Sequence, residues 1–178
     1  QQVRPVADAA QAQAFLFFQL LEIKAFAVVL HFKRDLLGVL HQLDNGINGF
    51  IVNGTTGESP TLKPTEVKEV LNFVRSITPA GRQIILGVGT NDTETTVEWI
   101  KKANQWRVDG ALAVVPYYNK PPQRGLVKHF ESVANQSKVP VILYNVPGRT
   151  IQSLSIESIE KLSRHEMIKG IKESTGDL

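Results

Sequence analysis

Cysteine is absent from the 178 residues, and methionine occurs once. Without thiols there is no disulfide framework, no zinc ribbon and no thiol nucleophile, and a reducing cytoplasm is permitted. The four histidines, His31, His41, His129 and His165, stand apart with neither HxH nor i,i+4 spacing, so no metal site is expected. An excess of one charge is also missing. The 20 basic and 17 acidic residues are interspersed, which leaves a net +3 and no basic stripe to follow a nucleic-acid backbone. A nucleic-acid partner is not expected.

Long apolar runs are nearly lacking as well. The most apolar covers 14–30 (AFLFFQLLEIKAFAVVL), but Glu22 and Lys24 interrupt it. Charges at the middle of a membrane span of about 20 residues are costly. The opening QQVRPVADAA does not supply the basic start and small-residue cleavage site of a signal peptide in that order. The run reads as a buried helix or strand pair, and the protein as cytoplasmic, with no membrane association.

What is present is an ordinary globular composition, 42% hydrophobic and 21% charged, enough for one domain with a real core. From Asn48 onward a pattern recurs about every 30 residues: a β-branched run, a loop with Gly, Pro or Asn, then a helical pattern. The strand candidates are 49–53 (GFIVN), 83–88 (QIILGV), 110–115 (GALAVV), 139–144 (VPVILY) and 168–172 (IKGIK). Their nearly continuous apolarity suits strands covered on both faces of a parallel sheet.

The spacing of Val67, Val70, Leu71, Val74 and Ile77 predicts a helix over 64–77, with Pro64 in its first turn. Asn91 or Asp92 could cap the next helix, with Val97, Ile100 and Ala103 inward. Leu126, Val127, Phe130 and Val133 mark a third, and Ile156, Ile159 and Leu162 a fourth. Such βα alternation leaves two α/β architectures, a doubly wound open sheet and a (β/α)₈ barrel. Thr55, Thr56, Tyr117, Tyr118, Tyr144 and Lys172 all fall at or just past the C-terminal ends of strands, where a barrel collects its site.

Gly54-Thr55-Thr56-Gly57-Glu58-Ser59 follows one strand and comes shortly before a helix. Its N–H groups and hydroxyls could face a small carboxylate, although a Gly-Thr turn bonded to its own backbone is the simpler alternative. Gly87-Val88-Gly89 lacks the third glycine of a dinucleotide fingerprint. Lys172, at the end of a strand with Ile168 and Ile171, would be partly desolvated and its amine freed to attack a carbonyl. A lysine snorkelling from a strand end, or paired with Glu173, fits equally well, and Lys169 is as good a candidate. Tyr144, Tyr117 and Tyr118 could pass protons if hydroxyls link them, or could simply be core aromatics. Arg149, in a Pro-Gly turn, could hold a carboxylate bidentately.

Taken together, GTTGES, PYYNKP, LYNVPGRT and GIKEST, in this order and spacing, resemble the dihydrodipicolinate synthase / N-acetylneuraminate lyase family of pyruvate-dependent class I aldolases, over roughly 43–178. The resemblance implies a (β/α)₈ TIM barrel. It also implies that Lys172 forms a covalent imine with pyruvate without any cofactor, that Gly54 and Thr56 belong to the carboxylate-binding turn, and that Tyr144 is the acid/base. Thr55 would link Tyr144 to Tyr118, the latter lent by a neighbouring subunit of a homodimer or homotetramer.

Arg149 would receive the carboxylate of aspartate semialdehyde, so the implied product is 4-hydroxy-tetrahydrodipicolinate, on the route to lysine and diaminopimelate. A 2-keto-3-deoxy sugar-acid aldolase or an N-acetylneuraminate lyase relative is the alternative. In lysine-sensitive relatives the effector site carries histidines and a glutamate where this chain has Pro64, Val67 and Thr95; Ser59, Asn91 and Tyr117 match. Weak or absent lysine feedback is therefore expected.

Residues 1–42 do not match the family opening, a strand ending in Thr-Pro-Phe, and receive no role; 27–35 (AVVLHFKRD) is faintly similar to it. The expected domain is thus a partial barrel over 43–178, with about five or six of eight βα units. A noncatalytic fragment is the further alternative.

Overall fold

In the computed structural model, residues 26–28 and 36–176 are described. The apolar run at 14–30 and His31 lie outside them, apart from the backbone of the first strand. Among the described residues six strands alternate with helices. They are β1 (Phe26–Val28), β2 (Gly49–Val52), β3 (Gln83–Gly87), β4 (Gly110–Val114), β5 (Val141–Asn145) and β6 (Ile168–Glu173). The helices are α1 (Leu36–Asp44), α2 (Pro64–Ile77), α3 (Thr93–Trp106), α4 (Gln123–Asn135), the single turn α5 (Pro147–Thr150) and α6 (Ile156–Ser163).

All neighbouring strands are parallel, and they lie side by side in chain order from β1 to β6. A doubly wound sheet reverses its order where the chain crosses to the other face; this one never does. The side chains confirm it. Phe50, Val52, Ile84, Leu86, Ala111, Ala113, Val141 and Leu143 pack in one cluster with the buried residues of every helix that contributes to the core. The alternate positions Ile51, Ile85, Leu112, Ile142 and Tyr144 form a second cluster, joined by Val146 and flanked by Val114, with no helix in it. Helices on one face and a strand-only cluster on the other are what a barrel wall requires, because a period of two sends successive side chains to opposite faces.

The helices follow their apolar spacing. In α2, Val67, Leu71 and Val74 are fully enclosed, each worth roughly 1.5–3 kcal/mol of burial. Asp92 caps α3, its Oδ2 accepting from Thr95 N at 2.7 Å. Leu126, Phe130 and Val133 of α4 are enclosed, as expected.

Two expectations about faces need correction. Ile156 is 80% exposed rather than inward. It is the first residue of α6, and the buried side of that helix runs through Ser158 and Leu162, with Ser158 Oγ donating to Gln123 Oε1 of α4 at 2.8 Å. On α3 the enclosed row is Thr96, Ile100 and Ala103, and Val97 lies at its margin. Thr96 is buried at little cost because its hydroxyl donates to Asp92 O at 2.7 Å and accepts from Thr90 N.

Candidate active site

The carboxyl ends of the strands are on one rim, and the sequence-derived candidates gather there. Tyr144 and Lys172 are direct partners across β5 and β6. Lys172 Nζ lies 3.9 Å from the centroid of the Tyr144 ring, over its electron-rich face. Tyr144 is 8% exposed.

A bulge decides which lysine is brought here. Val141 pairs with Ile168, but Ile142 pairs with Gly170, so Lys169 is the extra residue in this register. Strict alternation from Ile168, which packs on the helix side, would send Gly170 and Lys172 to that side too. The extra residue shifts the phase by one. Ile171 then joins the helix-side cluster, and Lys172 turns to the strand-only face with Tyr144. Lys169 is exposed at the bulge.

The environment of Lys172 differs from expectation. Ile168 and Ile171, predicted to enclose it, are on the opposite face, and the lysine is exposed. Its alternative partner Glu173 is engaged elsewhere. Glu173 accepts from Asn145 Nδ2 at 2.8 Å and from the N–H groups of Ser174 and Thr175.

The GTTGES segment forms two short 3₁₀ turns, Thr55–Gly57 and Ser59–Thr61. Gly57 N donates to Gly54 O and Glu58 N to Thr55 O, so these N–H groups are used within the turn. Those of Thr55 and Thr56 open the turn, where no acceptor exists inside it. Both threonines are exposed and Gly54 is buried. Asn53, which leads into the turn at φ 62, donates Nδ2 to Gly87 O at 2.8 Å. Its Oδ1 is buried without a partner among the described residues.

Tyr118 is 83% exposed and left-handed at φ 70, and Lys120 sits at φ 49. The loop is held by Asn119, whose Nδ2 donates to Asn91 O at 2.8 Å while Asn91 Nδ2 donates to its Oδ1 at 3.3 Å. No hydrogen bond joins Tyr118 to Thr55 or Tyr144 among the described residues, so the expected three-residue relay is not assembled within one chain. Arg149 is exposed on α5, with no carboxylate within ion-pair distance among the described residues.

Supporting residues that motif reading missed include Asn145 and His129. Asn145 is enclosed, and besides Glu173 it holds Ser153 Oγ at 3.0 Å and accepts from Leu154 N at 3.1 Å, tying the loop after β5 to β6. Its position beside Tyr144 was the only signal. His129 is buried on α4, Nδ1 against Thr93 Oγ1 at 2.9 Å, with Nε2 unpartnered among the described residues. Burial pushes it down to about 4, and the Asp92 carboxylate only partly opposes this. Asp92 itself is held low by its bonds to Thr95 and by His129.

Among the described residues no cluster of His, Asp and Glu could hold a metal ion, and no helix is long and apolar enough to cross a membrane.

Six sequential parallel strands, helices on one face, and a lysine and tyrosine paired at the carboxyl rim define a chain of the (β/α)₈-barrel class. The chain belongs to the Dihydrodipicolinate synthetase family, whose model matches residues 33–178. It is 50% identical over 137 residues to the 4-hydroxy-tetrahydrodipicolinate synthase of Bdellovibrio bacteriovorus, covering 77% of this chain and 47% of that protein. The crystal structure of dihydrodipicolinate synthase from Thermotoga maritima matches with TM-score 0.80 and 38% identity, over 85% of this chain and 54% of that one. The chloride-inhibited synthase of Acinetobacter baumannii, complexed with pyruvate, matches with TM-score 0.75 and 40% identity, over 78% and 48%. The chain thus spans about half the length of the relatives it matches.

Proposed function

We propose that this chain carries the imine-forming part of a synthase that condenses pyruvate with aspartate semialdehyde to 4-hydroxy-tetrahydrodipicolinate. The pairing of Lys172 with Tyr144 carries this reading. In it, the free amine of Lys172 adds to the pyruvate ketone and water leaves, with Tyr144 supplying and recovering the protons at oxygen and nitrogen. The imine withdraws electrons, so the pyruvate methyl group loses a proton. The resulting enamine attacks the semialdehyde carbonyl, and the new alkoxide is protonated. The substrate's own amine then displaces Lys172 from the imine carbon, which closes the ring and regenerates the enzyme amine. No further cofactor is required.

Thr56 would hold the pyruvate carboxylate through its main-chain N–H and hydroxyl, in the turn that Gly54 leads into. Arg149 would hold that of the semialdehyde, for which its guanidinium, without an ion pair among the described residues, is suited. The exposed, left-handed Tyr118 supports a role across a subunit boundary, hence a homodimer or homotetramer in which Thr55 completes the relay. A cytoplasmic location is part of this reading and agrees with the absence of cysteine. So is weak or absent lysine feedback: Val67 is fully enclosed in α2, and Thr95 contributes no charge. Titrating the protein with lysine should show no saturable heat at millimolar ligand.

The alternative is a noncatalytic chain. Pyruvate with borohydride separates the two. Reduction of the imine adds the pyruvate-derived mass to the Lys172 peptide if the catalytic reading is right; soluble protein that stays unmodified rejects it.

A further inference from the structure

Ile151 ends α5, its N–H donating to Pro147 O at 2.8 Å. It does so at φ 68 and ψ −31, a positive-φ conformation outside the left-handed helical basin, in which the Cβ of a branched residue crowds the backbone. The conformation is enforced from both sides. The hydroxyl of enclosed Thr150 lies 3.1 Å from Val146 O and 2.7 Å from Gln152 O, sharing its proton across the turn. Two residues further on, Asn145 anchors Ser153 and Leu154. Burial does not compensate for the strain, since Ile151 is 64% exposed.

Strain that packing does not offset points to a functional reason for the residue. Ile151 stands two positions past Arg149, at the carboxyl rim, where an incoming aldehyde would pass. A branched apolar side chain offers that aldehyde no hydrogen bond. Aspartate semialdehyde places a methylene beside its carbonyl and a carboxylate for Arg149, so it loses little there. A polyhydroxylated aldehyde would give up water from hydroxyls that find no partner.

We propose that Ile151 is a specificity-determining residue beside Arg149, selecting aldehydes with a carboxylate and an apolar methylene against polyhydroxylated ones. The proposal rests on the function proposed above.

The test compares the full chain with Ile151→Gly, Ile151→Asn and Ile151→Val. Pyruvate-borohydride labelling of Lys172 is measured first, then kcat/KM for aspartate semialdehyde and for glyceraldehyde. Labelling should be equal in all four, and Ile151→Gly, relieved of strain, should melt a few degrees higher. The preference for the semialdehyde should fall about tenfold in the Gly and Asn variants, chiefly through better use of glyceraldehyde, and persist in the Val variant. Labelled protein whose preference is unchanged by Ile151→Gly, or which turns over neither aldehyde, overturns the proposal. A parent chain that is not labelled at all overturns the imine reading and this proposal with it.

Discussion

The Lys172 ammonium sits 3.9 Å from the centroid of the Tyr144 ring, and the two residues are cross-strand partners. In the proposed reaction the ring and the hydroxyl of Tyr144 would have separate duties: the face would station the amine, and the oxygen would move protons.

Tyr144→Phe keeps the face and removes the hydroxyl. Lys172 should still be labelled by pyruvate and borohydride, but more slowly, and turnover should fall roughly 10²- to 10⁴-fold. Tyr144→Leu removes both and should lower labelling yield further. Peptide mass spectrometry after timed reduction checks this, and equal labelling in the two variants would reject a separate role for the ring.

His129 makes stability depend on acidity. Its ordinary value is 6.5 and its folded value about 4, so the unfolded chain takes up a proton first as pH falls. The contribution is complete above about pH 6.5 and is lost as pH drops toward 4, by at most roughly 3 kcal/mol. Facing groups are Thr93 at Nδ1, the edge-on Phe130 ring and the Asp92 carboxylate, the last opposing the loss. Urea unfolding at pH 7 and pH 4.5 should show this slope, and His129→Phe should flatten it. A parallel slope in the variant would exclude His129 as the source.

Asn119→Ala breaks both bonds to Asn91 that hold the Tyr118 loop. The expected stability cost is about 1 kcal/mol for two exposed hydrogen bonds. Released from its left-handed setting, the loop should be cut by chymotrypsin after Tyr118 several times faster than in the parent. An unchanged cleavage rate would mean that the backbone alone sets the loop.

Gly87 and Gly148 make a matched pair. A Cβ on Gly87 would collide with the Asn53 carbonyl, a backbone atom at the end of β2 that cannot swing aside, whereas one on Gly148 meets nothing. Gly87→Ala should destabilise by about 3 kcal/mol, and Gly148→Ala by no more than about 0.5 kcal/mol. Chemical denaturation measures both, and comparable effects would contradict the close approach of the two strand ends.

Much of the fold was legible because local patterns carried it. The row from Val67 to Ile77 located α2 to its terminal residues, and the five apolar runs located β2 to β6 within about two residues. Less visible was β1, a strand in the stretch that had received no role, where only faint similarity hinted at the family opening. Ile156 was misread because an apolar residue at helical spacing also occurs at a helix's first, solvent-facing position. His129 and Asn145 carry no local mark of burial; contacts from α3 and from β6 create it.

The site divides along the same line. Sequence by itself pointed to the family, through four motifs in a fixed order, and put Thr55, Thr56, Tyr117, Tyr118, Tyr144 and Lys172 at or just past strand ends. Only the motif GIKEST separated Lys172 from Lys169; alternation could not, since it assigns faces only once a register is known. Tertiary structure supplied the register: pairing with β5 makes Lys169 the extra residue of a bulge and turns Lys172 onto the Tyr144 ring. It also left Lys172 exposed, with Ile168 and Ile171 turned to the helices. Register is a property of two strands from distant parts of the chain, and no local pattern contains it.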